Sequence, residues 1–499
     1  MKSTIFENLF VFEMANNHQG SLEHGFNIID AMADISREYQ LNAVVKLQYR
    51  QLDTFIHPDF RKREDVKHIP RFISTALSRD EFRMLIERIK GSGMNAMVTP
   101  FDEASVDVCL EHDVDIIKVA SCSAEDWPLL EKVAVAGKPV IFSTGGVPIS
   151  GVDRLVSFFG NKDVEFGLMH CVALYPTPND QLQMGVMRRL AKRYPEVTVG
   201  YSGHEAPENL DPARTAVAMG ARMMERHVGV PTETIQLNKY SMNPDQVRMW
   251  VEAIQEIKAI VGQEHVKELP AEEAASLLSL QRGVFAKEEI RKGEEIHTDQ
   301  VFFAMPCADG QLTSGQFGSY RATFTASKDY GVNEAVYEDS KSDSLLELRE
   351  YIHDAKGMLY EARIRLGNDF SVELSHHLGM ENFRNTGCLI INVINREYCK
   401  KIIVVLPGQV HPQHRHKIKE ETFQLLSGEL NVSLNGNEQV LSPGDKLLVE
   451  RGAWHGFSSK TGAIFEEVST THVVGDSEYE DLRINDLDPI QRKTIVDRW

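Results

Sequence analysis

Eight short apolar runs within residues 1–265 each end in a side chain able to do chemistry. They deliver Glu13, Lys46 with Gln48, Thr99, Lys118 with Ser121, Ser143, His170, Ser202 with His204, and Glu225 with His227. Lys46 and Lys118, set among Thr99, Ser121, Ser143 and Ser202, form a cationic, hydroxyl-rich group. A substrate bearing phosphate or carboxylate needs such point charges and directional donors. His204 and His227 come from successive runs and together can reach a divalent metal. Two imidazoles that leave open positions suit a Lewis acid acting on a carbonyl. A second donor set lies near the C-terminus, where residues 408–428 fit G-x5-H-x-H-x4-E-x6-G and His455 closes the run GDKLLVERGAWH (444–455). His414 and His416, two residues apart on one strand, face the same side, and Glu421 and His455 complete three imidazoles and a carboxylate. That set suits Mn, Fe, Ni, Zn or Co and does not choose among them.

The elements that must position these residues follow from hydrophobic patterning. The runs at 8–17, 43–50, 94–101, 116–121, 139–145, 164–171, 197–204 and 222–229 are continuous and rich in β-branched residues. Such runs are strands buried on both faces. Amphipathic stretches such as 24–39 and 79–93 separate them and predict helices. Eight strand–helix alternations in this length predict an α/β chain of the (β/α)8, or TIM-barrel, type, whose active site lies on the rim at the carboxyl ends of the strands. Beyond it the sequence predicts a compact β-rich module with Gly293 at a turn, joined through the polar segment 264–279. A helix at 345–364 and a strand-rich region follow, and the apolar spacing of 477–499 predicts a helical tail. His411 is expected to neighbour the metal ligands without being one, His376 and His377 to be exposed or at the core edge, and 61–67 to be a solvated loop.

Composition bounds the function. The chain has 499 residues, enough for about three domains. Lys and Arg number 54 against 73 Asp and Glu, a formal charge of −19, which argues against nucleic acid or an anionic membrane as partner. Six scattered cysteines make no disulfide framework and fit a reducing compartment. No run approaches the ~18–20 apolar residues of a membrane span, and the first residues lack a signal-peptide core, so a cytoplasmic protein is expected.

The order of the motifs carries a resemblance. FEMANNHQG (12–20), KLQ (46–48), TPFD (99–102), KVAS (118–121), STGG (143–146), HCVALYPTP (170–178), GYSGHE (200–205), ERH (225–227) and SMNP (241–244) follow one another. This resembles the sialic acid synthase family, over about residues 5–335. Residues 281–306 resemble the antifreeze-like SAF domain that follows the barrel in these synthases, and the region around the histidine motif resembles a cupin. The expected domains are therefore a barrel at 1–265, a SAF domain at 275–337 and an all-β cupin barrel at 345–499.

The resemblance implies condensation of phosphoenolpyruvate with an open-chain aldose to a 3-deoxy-2-ulosonic acid and phosphate. Lys46, Thr99, Lys118, Ser121, Ser143 and Ser202 match the phosphoenolpyruvate positions, Gln48 and Tyr175 the sugar positions, and His204 and His227 the ligands of a divalent metal, usually manganese. Glu13 matches an acidic residue that would position water or move its protons, or simply pair with a rim lysine. The family also implies a domain-swapped homodimer. Three departures bear on the acceptor: Ser123 stands where a glutamate is usual, Met305 where an arginine reads the N-acyl group, and Ala173-Leu174 precede Tyr175 in place of an asparagine. A thioether cannot replace a guanidinium donor, so the acceptor is expected not to be N-acetylmannosamine. The cupin, with a second divalent metal, would interconvert ketose and aldose or bind the sugar. The competing reading is a cupin-dependent sugar isomerase, or a sugar-binding regulator whose barrel is not catalytic.

Overall fold

The computed structural model describes residues 4–262, 269–318, 323–337, 341–342, 344–488, 490–497 and 499. They fall into two compact units, residues 1–267 and residues 268–499.

The first unit is a closed barrel of eight parallel strands in sequence order: β1 (Leu9–Glu13), β2 (Asn42–Tyr49), β3 (Asn95–Pro100), β4 (Ile116–Val119), β5 (Val140–Ser143), β6 (Phe166–Cys171), β7 (Thr198–Gly203) and β8 (Met223–His227). Helices alternate with the strands. Ser78 opens helix Arg79–Gly91 with a reciprocal capping box, and Asn243 does the same for Pro244–Val261.

Strand alternation sorts the side chains into two populations. Phe10, Phe12, Val45, Leu47 and Val98 point outward into the core shared with the helices. Leu9, Val11, Val44, Met97, Ile116, Ile141, Met169 and Met223 point into the lumen and fill it with apolar layers, with Phe6 packed against them. Two residues further along these inward faces, the character changes to Glu13, Lys46, Thr99, Lys118, Ser143, Cys171 and Glu225, all buried. Ser202, paired in register with Cys171 on one side and Glu225 on the other, joins them.

The second unit begins with helix Ala271–Leu280 and a small β module. There Gly283–Ala286 pairs antiparallel with Val301–Ala304, over a core that includes Val284, Ile290, Leu312 and Phe324. Gly293 adopts φ +87° in its turn, a conformation that glycine reaches without strain. After helix Ser344–Glu361 come a seven-stranded and a five-stranded sheet, all antiparallel, the architecture of a cupin. The helical tail expected from the sequence is corrected here. Ser477–Tyr479 and Lys493–Val496 are strands, and among the described residues between them only Leu482–Asn485 is helical. Pairing of Lys493–Val496 with Ser371–Ser375 satisfies the backbone of the β-branched run Thr494, Ile495, Val496 better than an isolated short helix would. Among the described residues, no helix is long and apolar enough to cross a membrane.

Barrel closure makes one tight demand. A Cβ on Gly200 would lie 2.5 Å from both the Cβ and the carbonyl oxygen of Met223 on the neighbouring strand. Gly200→Ala is therefore expected to destabilise the barrel by about 1–3 kcal/mol, measurable as a lowered midpoint in urea unfolding.

Candidate active site and metal centre

The polar layer at the top of the barrel lumen is a charge cluster. Lys46 Nζ lies 2.5 Å from Glu13 Oε2 and 2.8 Å from Glu225 Oε1. Lys118 Nζ lies 3.5 Å from the other Glu225 oxygen and donates to Ser143 Oγ at 2.6 Å. Ser202 Oγ donates to Glu225 Oε1 at 2.8 Å. Glu225 thus joins β2, β4 and β7 to β8. Burial opposes its charge, but Lys118 and Lys46 overcome that and hold it well below the usual carboxylate range. Glu13 goes the other way: burial, helped by the charge of Glu225 and opposed by Lys46, raises it. Burial would lower Lys46, yet its two carboxylates raise it, whereas burial prevails at Lys118 and lowers it. Two like carboxylates sharing a cation are driven apart in this way, one ionised and one the readier to hold a proton.

The remaining rim residues surround this cluster. Ser121 follows β4 and accepts the Gly145 N–H at 3.0 Å, with Cys171 Sγ 3.1 Å from its oxygen. A side chain at position 145 would collide with both of those groups, so the glycine is what lets the backbone approach. Thr99 sits in register with Gln48, whose amide lies 3.5 Å from Glu13. His170 points away from the lumen and bonds the Leu182 carbonyl at 2.8 Å.

His204 and His227 meet at the mouth, with ring centroids 5.5 Å apart. His204 Nδ1 bonds the Val172 carbonyl at 2.9 Å, which fixes its proton there and leaves Nε2 as a free lone pair. Burial, with the neighbouring imidazole at His204 and Lys46 at His227, draws both down to about 3, so both imidazoles are neutral at physiological pH. Tyr175 stands 4.3 Å from the His204 ring, and Tyr240 packs 5.1 Å from Tyr175 and 5.0 Å from His227. The residues present fit a divalent ion held by two imidazoles.

The second unit brings His414, His416, Glu421 and His455 together, with one ligand atom from each within 4.8 Å of the others and all four side chains buried. Glu421 Oε2 and His455 Nε2 lie 3.0 Å apart, yet neither has an aligned hydrogen-bond partner. Buried polar atoms left this way fit a shared cation. Lys419 also contacts Glu421 and lies 3.0 Å from Glu467. The turn between His416 and Glu421 is clasped by Asp476, whose carboxylate accepts the backbone N–H groups of Lys417, Ile418 and Lys419 at 3.0–3.1 Å. A cavity of about 110 Å³ opens over these residues.

The structure corrects one expectation here. His376 and His377 are buried, not exposed or at an edge. His377 Nε2 lies 3.0 Å from His411 Nε2, and His376 Nε2 lies 3.3 Å from Thr494 Oγ1. His411 stacks on Phe457 at 4.4 Å, outside the four-residue cluster. Sequence reasoning gave Glu225 and Tyr240 no role; the two-residue spacing of Glu225 and His227 was the available signal for the first.

Comparison with known proteins follows this geometry. Residues 35–266 match the NeuB family and residues 401–468 the cupin domain. The crystal structure of a spore coat polysaccharide biosynthesis protein E from Chromobacterium violaceum is similar at 43% identity and a TM-score of 0.64, over 66% of this chain and 98% of that one. The spore coat polysaccharide biosynthesis protein SpsE of Bacillus subtilis is 27% identical over 326 residues, 61% of this chain and 84% of that protein. The N,N'-diacetyllegionaminic acid synthase of Campylobacter jejuni is 26% identical over 298 residues, 57% of this chain and 86% of that protein. A parallel (β/α)8 barrel with a charged rim, followed by a cupin, defines the class. The chain belongs to the NeuB family.

The histidines set a pH response. Burial holds His204, His227, His377, His416 and His472 at about 3, so each is neutral when folded. Unfolded, each takes up a proton near 6.5. The stabilisation is therefore present above about 6.5 and is lost as pH falls, at up to about 1.4 kcal/mol per pH unit for each histidine. In chelator, the free energy of urea unfolding should drop between about pH 7 and about pH 5.5 more steeply than one histidine allows.

Proposed function

We propose that the barrel condenses phosphoenolpyruvate with an open-chain aldose, giving a 3-deoxy-2-ulosonic acid of the sialic type and phosphate. The observation that carries this reading is the convergence of Lys46, Lys118, His204 and His227 on one lumen, around Glu13 and Glu225. Lys46 and Lys118, with Thr99, Ser121, Ser143 and Ser202, hold the phosphate and carboxylate of phosphoenolpyruvate. Gln48 and Tyr175 orient the sugar. A divalent ion on His204 and His227, manganese in this reading, would draw electron density from the aldehyde oxygen. Carbon 3 of phosphoenolpyruvate attacks the aldehyde carbon, water adds at carbon 2, and phosphate leaves by carbon–oxygen cleavage. Glu13, the carboxyl readier to hold a proton, positions that water and moves its proton. Its pairing with Lys46 is the geometry that keeps it in place.

The acceptor follows from the departures. Ser123 is buried and too short to act as the usual glutamate would, while Glu125 turns outward to Arg154 at 2.6 Å. Met305 is 56% exposed and offers no guanidinium to an N-acyl group. N-acetylmannosamine is therefore a poor acceptor. The cupin residues His414, His416, Glu421 and His455 would hold a second divalent metal. The buried Lys419 and Glu467 beside them favour ketose–aldose interconversion that supplies the barrel's aldose, over sugar binding alone. A domain-swapped homodimer in the cytoplasm completes the reading.

Phosphate release from phosphoenolpyruvate, screened over aldoses with and without manganese, tests it; no release with any acceptor would leave the regulator reading. His227→Ala should abolish release while metal analysis still finds the cupin ion. His414→Ala should spare condensation when the correct aldose is supplied directly.

A further inference from the structure

Arg50, just past the end of β2, has an unusual setting. Its guanidinium is held between two rings, 3.6 Å from the centroid of Phe101 and 4.2 Å from that of Phe72. It donates to Gln48 Oε1 at 3.0 Å, its Nε is buried with no hydrogen-bond partner, and among the described residues no carboxylate forms an ion pair with it, although the charges of Glu13 and Asp102 reach it. Most arginines on this barrel are satisfied by acids, as Arg88 is by Asp30 and Arg193 by Asp153. Burial lowers Arg50 only to about 10, so it stays cationic at neutral pH. It lines a cavity of about 570 Å³, together with Gln48, His18, Thr54, Ser78 and Arg79. Gln48 also reaches Glu13, at 3.5 Å, so the cavity adjoins the reacting centre through one shared side chain.

Resting on the proposed condensation, we infer that this cavity is the subsite for the far end of the acceptor and that Arg50 recognises an anionic group there, a phosphate or a carboxylate. The aromatic clamp fixes the planar fork before the ligand arrives, so little side-chain freedom is lost on binding. Glu13 and Asp102 act on this cation only from beyond ion-pair distance, so a guanidinium with no carboxylate bonded to it is the complement of an anion. A neutral hydroxyl in its place would leave a half-buried guanidinium charge uncompensated. The cavity supplies hydroxyl donors and the second guanidinium of Arg79, with Asp53 the one carboxylate on its lining and His18 kept neutral by burial, and it has room for the end of a sugar bearing either group.

The test uses the full chain and three probes: a neutral aldohexose, its 6-phosphate and its 6-carboxylate. Direct calorimetric titration of each probe reads the subsite whether or not condensation occurs, and phosphate release from phosphoenolpyruvate reads the reaction. One anionic probe is expected to bind about 10- to 100-fold more tightly than the neutral sugar, the range of a charge-assisted contact. Arg50→Gln should erase that preference and Arg50→Lys restore part of it, seen in KM rather than kcat. Which anion wins separates phosphate from carboxylate. Equal binding of all three probes by the unaltered protein, no binding of any, or a preference that survives Arg50→Gln would overturn the inference. Charge-selective binding without phosphate release from these probes or any aldose of the wider screen would keep the subsite and sink the condensation instead.

Discussion

A single buried ammonium, that of Lys46, lies between two carboxylates at the top of the barrel, and the site is organised around that contact. Charges taken from water cost several kcal/mol each and are tolerated only when paired closely and completely. Glu13 and Glu225 supply the pairing, and Lys118, Ser143 and Ser202 complete it around Glu225. If both carboxylates were ionised, the two ammonium groups would be fully offset, and phosphoenolpyruvate would meet a neutral pocket. Burial raises Glu13, so it is the readier of the two to take up a proton, and a proton there would leave positive charge in surplus. In the proposed reaction a proton taken up there would both make room for the anion and be available for the water step.

Much of this was legible in the sequence because strand parity is strict. Once a run is read as a strand, Val11 and Glu13, or Val44 and Lys46, must share a face, so the polar rim follows from the apolar layers beneath it. Parity does not say which side chains meet across a closed lumen. Glu225 was visible as a polar strand residue, but its place between two lysines depends on the register of four strands. Arg50 closes the run 43–50 yet escaped notice, because what sets it apart are Phe72 and Phe101 from other segments. His376 and His377 looked like a surface pair because adjacent polar residues usually are; the pairing of their neighbours with Lys493–Val496 draws them inside. That strand was itself obscured by short apolar spacing that fits a helix as well as an edge pair.

The two sites use imidazole differently. In the barrel, one ring is oriented by a loop carbonyl, that of Val172, and the other stands among Lys46, Tyr175 and Tyr240. In the cupin, three rings and a carboxylate close on one point within a β sandwich. The first arrangement leaves room for reactants to complete it. The second is nearly complete from protein groups alone, and what it can add is set by the small cavity above it and by Lys419 and Glu467 at its edge.

Asp476 gives that second site a particular character. By gathering three successive amides of the turn between His416 and Glu421, it holds the separation of two donors through protein contacts alone. For a metal held there, choosiness would rest on how well an ionic radius suits a gap already cast. A turn clasped in this way would stand alike with or without such an ion, ready to be filled without refolding.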